Sequence, residues 1–147
     1  MSIAARAVAE ARGWIGTPYR HQASARGAGA DCLGLVRGVW RGVYGAEPEV
    51  VPAYTANWAE PAREEVLWRA ALRHLVPRAG RVPRPGDVIL FRMRDGAVAK
   101  HLGIAAGGPS AASFIHAYCG HGVVESPLSA PWARRIVACL AFPEETC

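Results

Sequence analysis

The sequence predicts an α+β fold in which N-terminal helices, one of them beginning at a cysteine, pack on an antiparallel β-sheet. In the first half of the chain, apolar residues recur every three or four positions, which is typical of helices. The second half consists of short β-branched and aromatic runs separated by glycine and proline, which is typical of strands. Helices followed by a meandering sheet form one α+β unit. A chain of 147 residues is the size of one domain, so we predict a single domain over residues 1–147.

Three helices are predicted in the first half. The first spans Ser2–Trp14, with the Ser2 hydroxyl as its N-cap. The second spans Cys32–Tyr44, and the third begins near Pro61 and ends near Leu75, because proline suits a first helical turn. Five strands are predicted to follow: Asp87–Met93, His101–Ala105, Ser113–Tyr118, Gly122–Glu125 and Arg135–Phe142. The segments "TPYRHQASARGAGA" and "VPRAGRVPRPGD" are predicted to be loops.

Charge and hydropathy exclude several classes of function. The net charge of +5 comes almost entirely from arginines, and a basic domain is attracted to polyanions. The arginines are scattered rather than clustered, so we predict no specific nucleic-acid binding. No apolar run reaches 18 residues, so we predict no membrane span. Arg6, Glu10 and Arg12 interrupt the N-terminus where a signal peptide needs an apolar run, which predicts synthesis in the cytoplasm.

The cysteines have no compact disulfide spacing, and a cytoplasm keeps thiols reduced. We therefore predict four free thiols: Cys32, Cys119, Cys139 and Cys147.

Cys32 stands at the start of the second helix, directly after a glycine-rich loop. Asp31 is the predicted N-cap, while Leu35 and Val39 share the helix face of Cys32, so the thiol should face the protein body. The positive end of a helix dipole lowers thiol pKa values, which predicts a nucleophilic thiolate that is alkylated selectively at neutral pH. The alternative is a buried, inert cysteine.

A nucleophilic cysteine needs a base, and two histidines lie in a suggestive register. The segment "KHLGIAAGGPSAASFIHAY" predicts a hairpin centred on Gly108–Pro109. His101 and His116 are equidistant from that centre, so they should stand directly opposite each other, with Cβ atoms about 5 Å apart, facing the cysteine helix. His101 is then the predicted base for Cys32, and His116 is the residue that sets the tautomer of His101.

Small residues occur on both sides of this predicted contact. Gly34, Gly38 and Gly42 form a stripe along the second helix, which predicts close packing of that helix on the sheet. Gly103 and Ala105 share the strand face of the predicted base and should make room for the same helix.

The segment "HAYCGH" offers an alternative use of these residues, as a metal site. His116, Cys119 and His121 are ligand types that zinc accepts. Their spacing matches no paired zinc motif and one ligand is missing, so we predict no metal and no cofactor.

Four segments in order, "GTPYR…DCLGLV", "RPGDVILF", "HLGIA" and "FIHA", resemble the NlpC/P60 cysteine peptidases. The similarity extends over about Gly13–Ala117 and is greatest to the short phage-tail and gene-transfer-agent branch. It implies a papain-like α+β core, no cofactor, and peptidoglycan stem peptides as substrate, often cut between D-glutamate and a diamino acid. A tail protein of this kind would have other tail or hub proteins as partners in a virion-like particle.

The resemblance also implies roles for individual residues. Cys32 matches the nucleophile, His101 the general base and His116 the polar residue that orients it. Tyr19 matches a tyrosine that shapes the oxyanion region, and Asp31 an acidic position near the free amine of the substrate.

Two departures lie near the expected substrate position and leave the cleaved bond open. His21, Gln22 and Ala23 replace a frequent Trp-Gly-Gly, and Leu33 stands where many members have serine. Two other functions are open: a structural tail hub or plug that keeps the fold without cutting, and an amidase or acyltransferase.

Overall fold

The computed structural model describes residues 1–54, 65–108 and 110–144. Helix α1 spans Ile3–Arg12, and the Oγ atom of its N-cap Ser2 accepts a hydrogen bond from the Ala5 amide. Helix α2 spans Cys32–Tyr44, as predicted, and α3 spans Val66–His74. The predicted start of the third helix at Pro61 lies outside the described residues. No helix within the described ranges is long and apolar enough to cross a membrane.

Eight strands are present in the described part of the chain. Two short ones, β1 (Ser24–Ala25) and β2 (Gly29–Ala30), form a hairpin before α2. The others are β3 (Val76–Arg78), β4 (Val88–Arg92), β5 (Ala99–Ala106), β6 (Ser113–Tyr118), β7 (Gly122–Pro127) and β8 (Ile136–Ala141). They form one antiparallel sheet in the order β3-β8-β4-β5-β6-β7.

The predicted α+β class and all five predicted strands are therefore confirmed. The short strands β1, β2 and β3 lie in segments that were predicted to be loops. Strand β3 is three residues long and contains Pro77, which an edge strand tolerates because one side of its ladder is unpaired. A one-turn helix, α4 (Ala130–Ala133), connects β7 to β8.

The two faces of the sheet belong to two hydrophobic cores, because alternate residues of a strand point to opposite faces. Leu35 and Val39 of α2 pack with one face, which includes Leu90 and Ile104. The other face contributes a smaller core, which Trp132 of α4 covers in part. Its buried residues are Ile89, Phe91, Ala105, Phe114, Ile136 and Cys139.

The glycine stripe of α2 does not face the sheet, which corrects one prediction. A Cβ atom at Gly34 would overlap the carbonyl oxygen of Ala23, and one at Gly38 would overlap the ring of Trp14. The stripe therefore admits α1 and the segment before β1.

The small residues of β5 also serve a different neighbour from the one predicted. A Cβ atom at Gly103 would lie 2.8 Å from the Phe114 ring and 3.5 Å from the His116 Cβ atom. Ala105 belongs to the core on the side away from α2. These positions make room for β6 side chains and not for the cysteine helix.

The β5–β6 register differs from the predicted one by two residues. Ile104 pairs with Ile115, and Ala106 pairs with Ser113. The connection spans residues 107–112, which is longer than the predicted two-residue turn; Pro109 lies outside the described residues. His101 and His116 are therefore not directly opposite, but a two-residue shift keeps both side chains on one face of the sheet.

Candidate active site

Asp31 is the N-cap of helix α2 and accepts hydrogen bonds from several partners. It is 3% exposed, and its Oδ1 atom accepts a hydrogen bond from the Gly34 amide at 2.7 Å, as expected of an N-cap. Its Oδ2 atom accepts hydrogen bonds from the backbone N–H group of Gln22 at 2.7 Å and from the Tyr54 hydroxyl at 2.5 Å. The predicted cap is confirmed. Tyr54 was missed from the sequence because it contacts the helix start from 23 residues away.

Cys32 follows as the first residue of α2 and is 8% exposed. Its Sγ atom lies 3.9 Å from the carbonyl oxygen of Lys100 on β5, within reach of a weak S–H hydrogen bond. The β4–β5 register shifts between Phe91 and Arg92, which leaves Lys100 as one extra residue on β5. Such bulges redirect a strand locally. This one lies where β5 meets the thiol.

A cavity of about 230 Å³ brings four of the five predicted site residues together. Tyr19, Asp31, Cys32 and His101 all line it. His116 does not line it, but is fully buried behind His101. Within the described residues, Cys32 and His101 share this cavity without a direct hydrogen bond between them.

The two histidines form a short relay that ends on a serine. The Nε2 atom of His101 lies 2.8 Å from Nδ1 of His116, and Nε2 of His116 lies 2.9 Å from Oγ of Ser126. Ser126 stands opposite Phe114 in the β6–β7 ladder, on the same face as His116. No motif in the sequence marks Ser126, but extending the β6–β7 hairpin from its tight turn places it near His116.

The imidazoles lie under an aromatic cover on the face of the sheet away from α2. The Trp132 ring lies 5.7 Å from the His101 ring and 5.2 Å from the His116 ring, between ring centres. Phe91 and Phe114 also contact these imidazoles. The expectation that the cysteine helix would cover the histidines is therefore wrong, because α2 packs on the opposite face.

Burial decides the protonation of both reactive groups. It lowers the pKa of His101 to about 3, with a further contribution from His116, so this imidazole is neutral at neutral pH. Burial, and next the Asp31 carboxylate, raises the pKa of Cys32 to about 12. This shift opposes the expected thiolate, since desolvation acts against the helix start. Both shifts favour a neutral thiol and a neutral imidazole.

Tyr19 lies half-buried on the cavity wall and forms an isolated bridge with Ala30. Burial and the neighbouring Cys32 raise the pKa of its phenol to about 12. The hydroxyl is therefore protonated at neutral pH and available as a hydrogen-bond donor, which suits the oxyanion role implied for it.

The candidate metal ligands are dispersed in the structure. Both ring nitrogens of His116 have protein partners, Cys119 is exposed, and His121 stacks on Tyr118. Among the residues described, no three histidine, cysteine or acidic side chains are grouped to hold a metal ion.

Leu33, the apolar residue next to Cys32, packs against the core to which α2 contributes. It lines a second cavity of about 220 Å³ between α2 and α3, together with Val36, Leu67 and Tyr54. A hydrophobic side chain at this position is explained by that apolar contact.

Two solved structures have folds similar to that of this chain. A crystal structure of an NlpC/P60 family protein from Bacillus cereus ATCC 10987 superposes with a TM-score of 0.65 at 16% identity, covering 95% of this chain and 40% of that one. The crystal structure of Ly7917 superposes with a TM-score of 0.57 at 14% identity, covering 95% and 62%. The chain thus spans less than two thirds of either relative.

The sequence itself has no significant match among curated proteins. The model of the NlpC/P60 family matches residues 16–141, from the loop after α1 to the end of β8. That range contains the cysteine helix and both histidine strands, and it is most of the chain. The chain therefore belongs to the NlpC/P60 family.

Proposed function

We propose that this protein is a cysteine peptidase that hydrolyses peptide bonds in peptidoglycan stem peptides. One observation carries the proposal: Cys32 at a capped helix start and His101 at the end of a buried relay line one cavity. Membership in the NlpC/P60 family supports the same chemistry and the same class of substrate.

The neutral resting pair suggests how the reaction proceeds. Nε2 of His101 is hydrogen-bonded to His116. Nδ1 is therefore the nitrogen that accepts the Cys32 proton as the sulfur attacks the substrate carbonyl. Backbone N–H groups at the start of α2 and the Tyr19 hydroxyl donate hydrogen bonds to the oxyanion. The C–N bond then breaks, His101 returns its proton to the leaving amine, and water releases the acyl group from sulfur.

We propose the bond between D-glutamate and a diamino acid as the cleavage site, because of the residues shared with the family. Asp31 places a negative charge at the cavity wall, which would attract the protonated amine of such a peptide. We further propose that the protein is made in the cytoplasm and incorporated in the tail of a phage-like particle, in contact with hub proteins.

Digestion of purified peptidoglycan tests this function. We expect the wild type to release soluble muropeptides and Cys32→Ala to release none. Cys139→Ala is the matched control, because Cys139 is also buried but belongs to the core on the other face of the sheet. Mass spectrometry of the products identifies the bond. Equal digestion by Cys32→Ala and the wild type would refute a cysteine mechanism.

A second candidate is a structural hub that keeps the fold without cutting. The high pKa of Cys32, and the lack of a direct Cys32–His101 hydrogen bond in the described part of the chain, favour it. It predicts an inert wild type that still assembles into particles. An acyltransferase and an amidase would both use the same acyl-enzyme. An acyltransferase would pass the acyl group to an added amine, which would then appear in the products, whereas an amidase would pass it to water and differ only in the amide bond that the product masses identify.

A further inference from the structure

We propose that Ser126 is a positioning residue whose oxygen accepts a hydrogen bond from His116 and so permits the direction in which His101 donates to His116. By doing so it keeps the proton-accepting nitrogen of His101 free. This inference rests on the proposed function, since it concerns the base that would serve Cys32.

The relay is continuous and shielded from solvent at its centre. The Oγ atom of Ser126 lies 2.9 Å from Nε2 of His116, and Nδ1 of His116 lies 2.8 Å from Nε2 of His101. His116 is fully buried and His101 nearly so. Both imidazoles are neutral at neutral pH because burial lowers their pKa values. Each ring therefore has one donor nitrogen and one acceptor nitrogen.

Only two arrangements satisfy both hydrogen bonds. In the first, His101 donates from Nε2 to Nδ1 of His116, and His116 donates from Nε2 to the Ser126 oxygen. In the second, the serine hydroxyl donates to His116, and His116 donates from Nδ1 to His101. In the second arrangement the proton of His101 is on Nδ1, and that nitrogen cannot accept a further proton from the Cys32 thiol. Only the first is competent for the proposed reaction.

Ser126 makes the first arrangement possible because its oxygen can accept. Without that oxygen, the Nε2–H group of His116 would be buried with no acceptor, which folded proteins avoid. The proton of His116 would then move to Nδ1, and His101 would in turn be protonated on Nδ1. The rate should fall through loss of the base, with little effect on substrate binding.

The experiment compares Ser126→Ala, Ser126→Thr and the control Ser113→Ala. Ser113 is a neighbouring strand serine whose hydroxyl donates to Glu125 and does not contact the relay. For Ser126→Ala we expect kcat on a stem peptide to fall about tenfold or more, with KM little changed. Threonine keeps the hydroxyl, so Ser126→Thr should retain most of the rate, and Ser113→Ala should match the wild type.

The second readout is the imidazole tautomers, measured by ¹⁵N NMR without substrate. In the wild type and Ser126→Thr, we expect His101 and His116 to be protonated on Nε2; in Ser126→Ala, protonation moves to Nδ1. A wild type with His101 protonated on Nδ1 overturns the proposal, as does Ser126→Ala with unchanged tautomers and unchanged kcat. A wild type that hydrolyses nothing counts against the proposed function, while its tautomers still decide the role of Ser126. If Ser126→Ala does not fold, the wild type and Ser126→Thr decide it.

Discussion

The hydroxyl of Tyr54 donates a hydrogen bond to the Oδ2 atom of Asp31 over 2.5 Å, and so connects the segment after α2 to the residue that begins α2. The same carboxylate accepts from the Gln22 amide and, through Oδ1, from the Gly34 amide. One buried carboxylate thus connects three segments next to Cys32.

Asp31→Ala should therefore destabilise the protein by more than the loss of an N-cap alone would. A lost N-cap costs about 1 kcal/mol, and hydrogen bonds to a charged group contribute about 1.5–3 kcal/mol. We expect the free energy of unfolding in urea to fall by at least about 2 kcal/mol. Tyr54→Phe removes one hydroxyl and should cost about 1 kcal/mol. An unchanged unfolding midpoint for Asp31→Ala would show that the carboxylate is not structural.

Gly34 should not tolerate a methyl group. A Cβ atom there would overlap the backbone oxygen of Ala23, which cannot move aside as a flexible side chain could. We expect Gly34→Ala to lower the free energy of unfolding by about 3 kcal/mol, measured by thermal denaturation. Gly108→Ala is the control, because nothing lies within 4 Å of a Cβ atom at that position. Comparable melting temperatures for the two variants would contradict this packing.

The pH profile should be broad, because the reactive form contains a neutral imidazole and a protonated thiol. As the pH falls, His101 becomes protonated only near its lowered pKa, so the acid limb of kcat/KM should lie well below 6.5, the ordinary value. As the pH rises, the thiol stays protonated until strongly alkaline conditions, since burial raises its pKa to about 12. An acid limb near 6.5 in the wild type would indicate a solvated base.

Thiol labelling should follow exposure and not catalytic role. The thiolate is the form that reacts with iodoacetamide, and Cys32 is buried with a raised pKa, whereas Cys119 is exposed. We expect Cys119 to be modified well before Cys32 at neutral pH, as mapped by peptide mass spectrometry. Labelling in urea is the control, where the two rates should converge. Preferential labelling of native Cys32 would show a deprotonated thiol at rest.

Cys32, Cys119 and Cys139 are free, as predicted, and Cys147 lies outside the described residues.

Local signals made α2 predictable to the residue. Asp31 supplies the cap, the apolar period supplies the buried face, and Gly45 after Tyr44 ends the helix at a φ of 94°. The edge strand β3 was missed because its pairing with β8, some 60 residues away, compensates for weak local propensity.

The sequence predicted which residues would lie close together better than it predicted how they are arranged; four of the five line one cavity. His101 and His116 stay on one face of the sheet as long as the register shifts by an even number of residues. The longer loop shifts it by two residues, so the predicted shared face is retained. Which side α2 occupies, and how deeply Cys32 is buried, depend on packing between distant segments. For that reason the expected cover over the histidines is wrong, and burial opposes the expected thiolate.

The division of the sheet into two cores has a consequence for when the molecule could be active. The proposed nucleophile is anchored in the core that α2 helps to build, and the proposed base in the core that Trp132 covers. Neither core alone holds both groups, so a nascent or partly unfolded chain would lack a complete site. The proposed peptidase activity would then require both cores to be folded, and a variant that loosens either core should lose activity before it loses all structure.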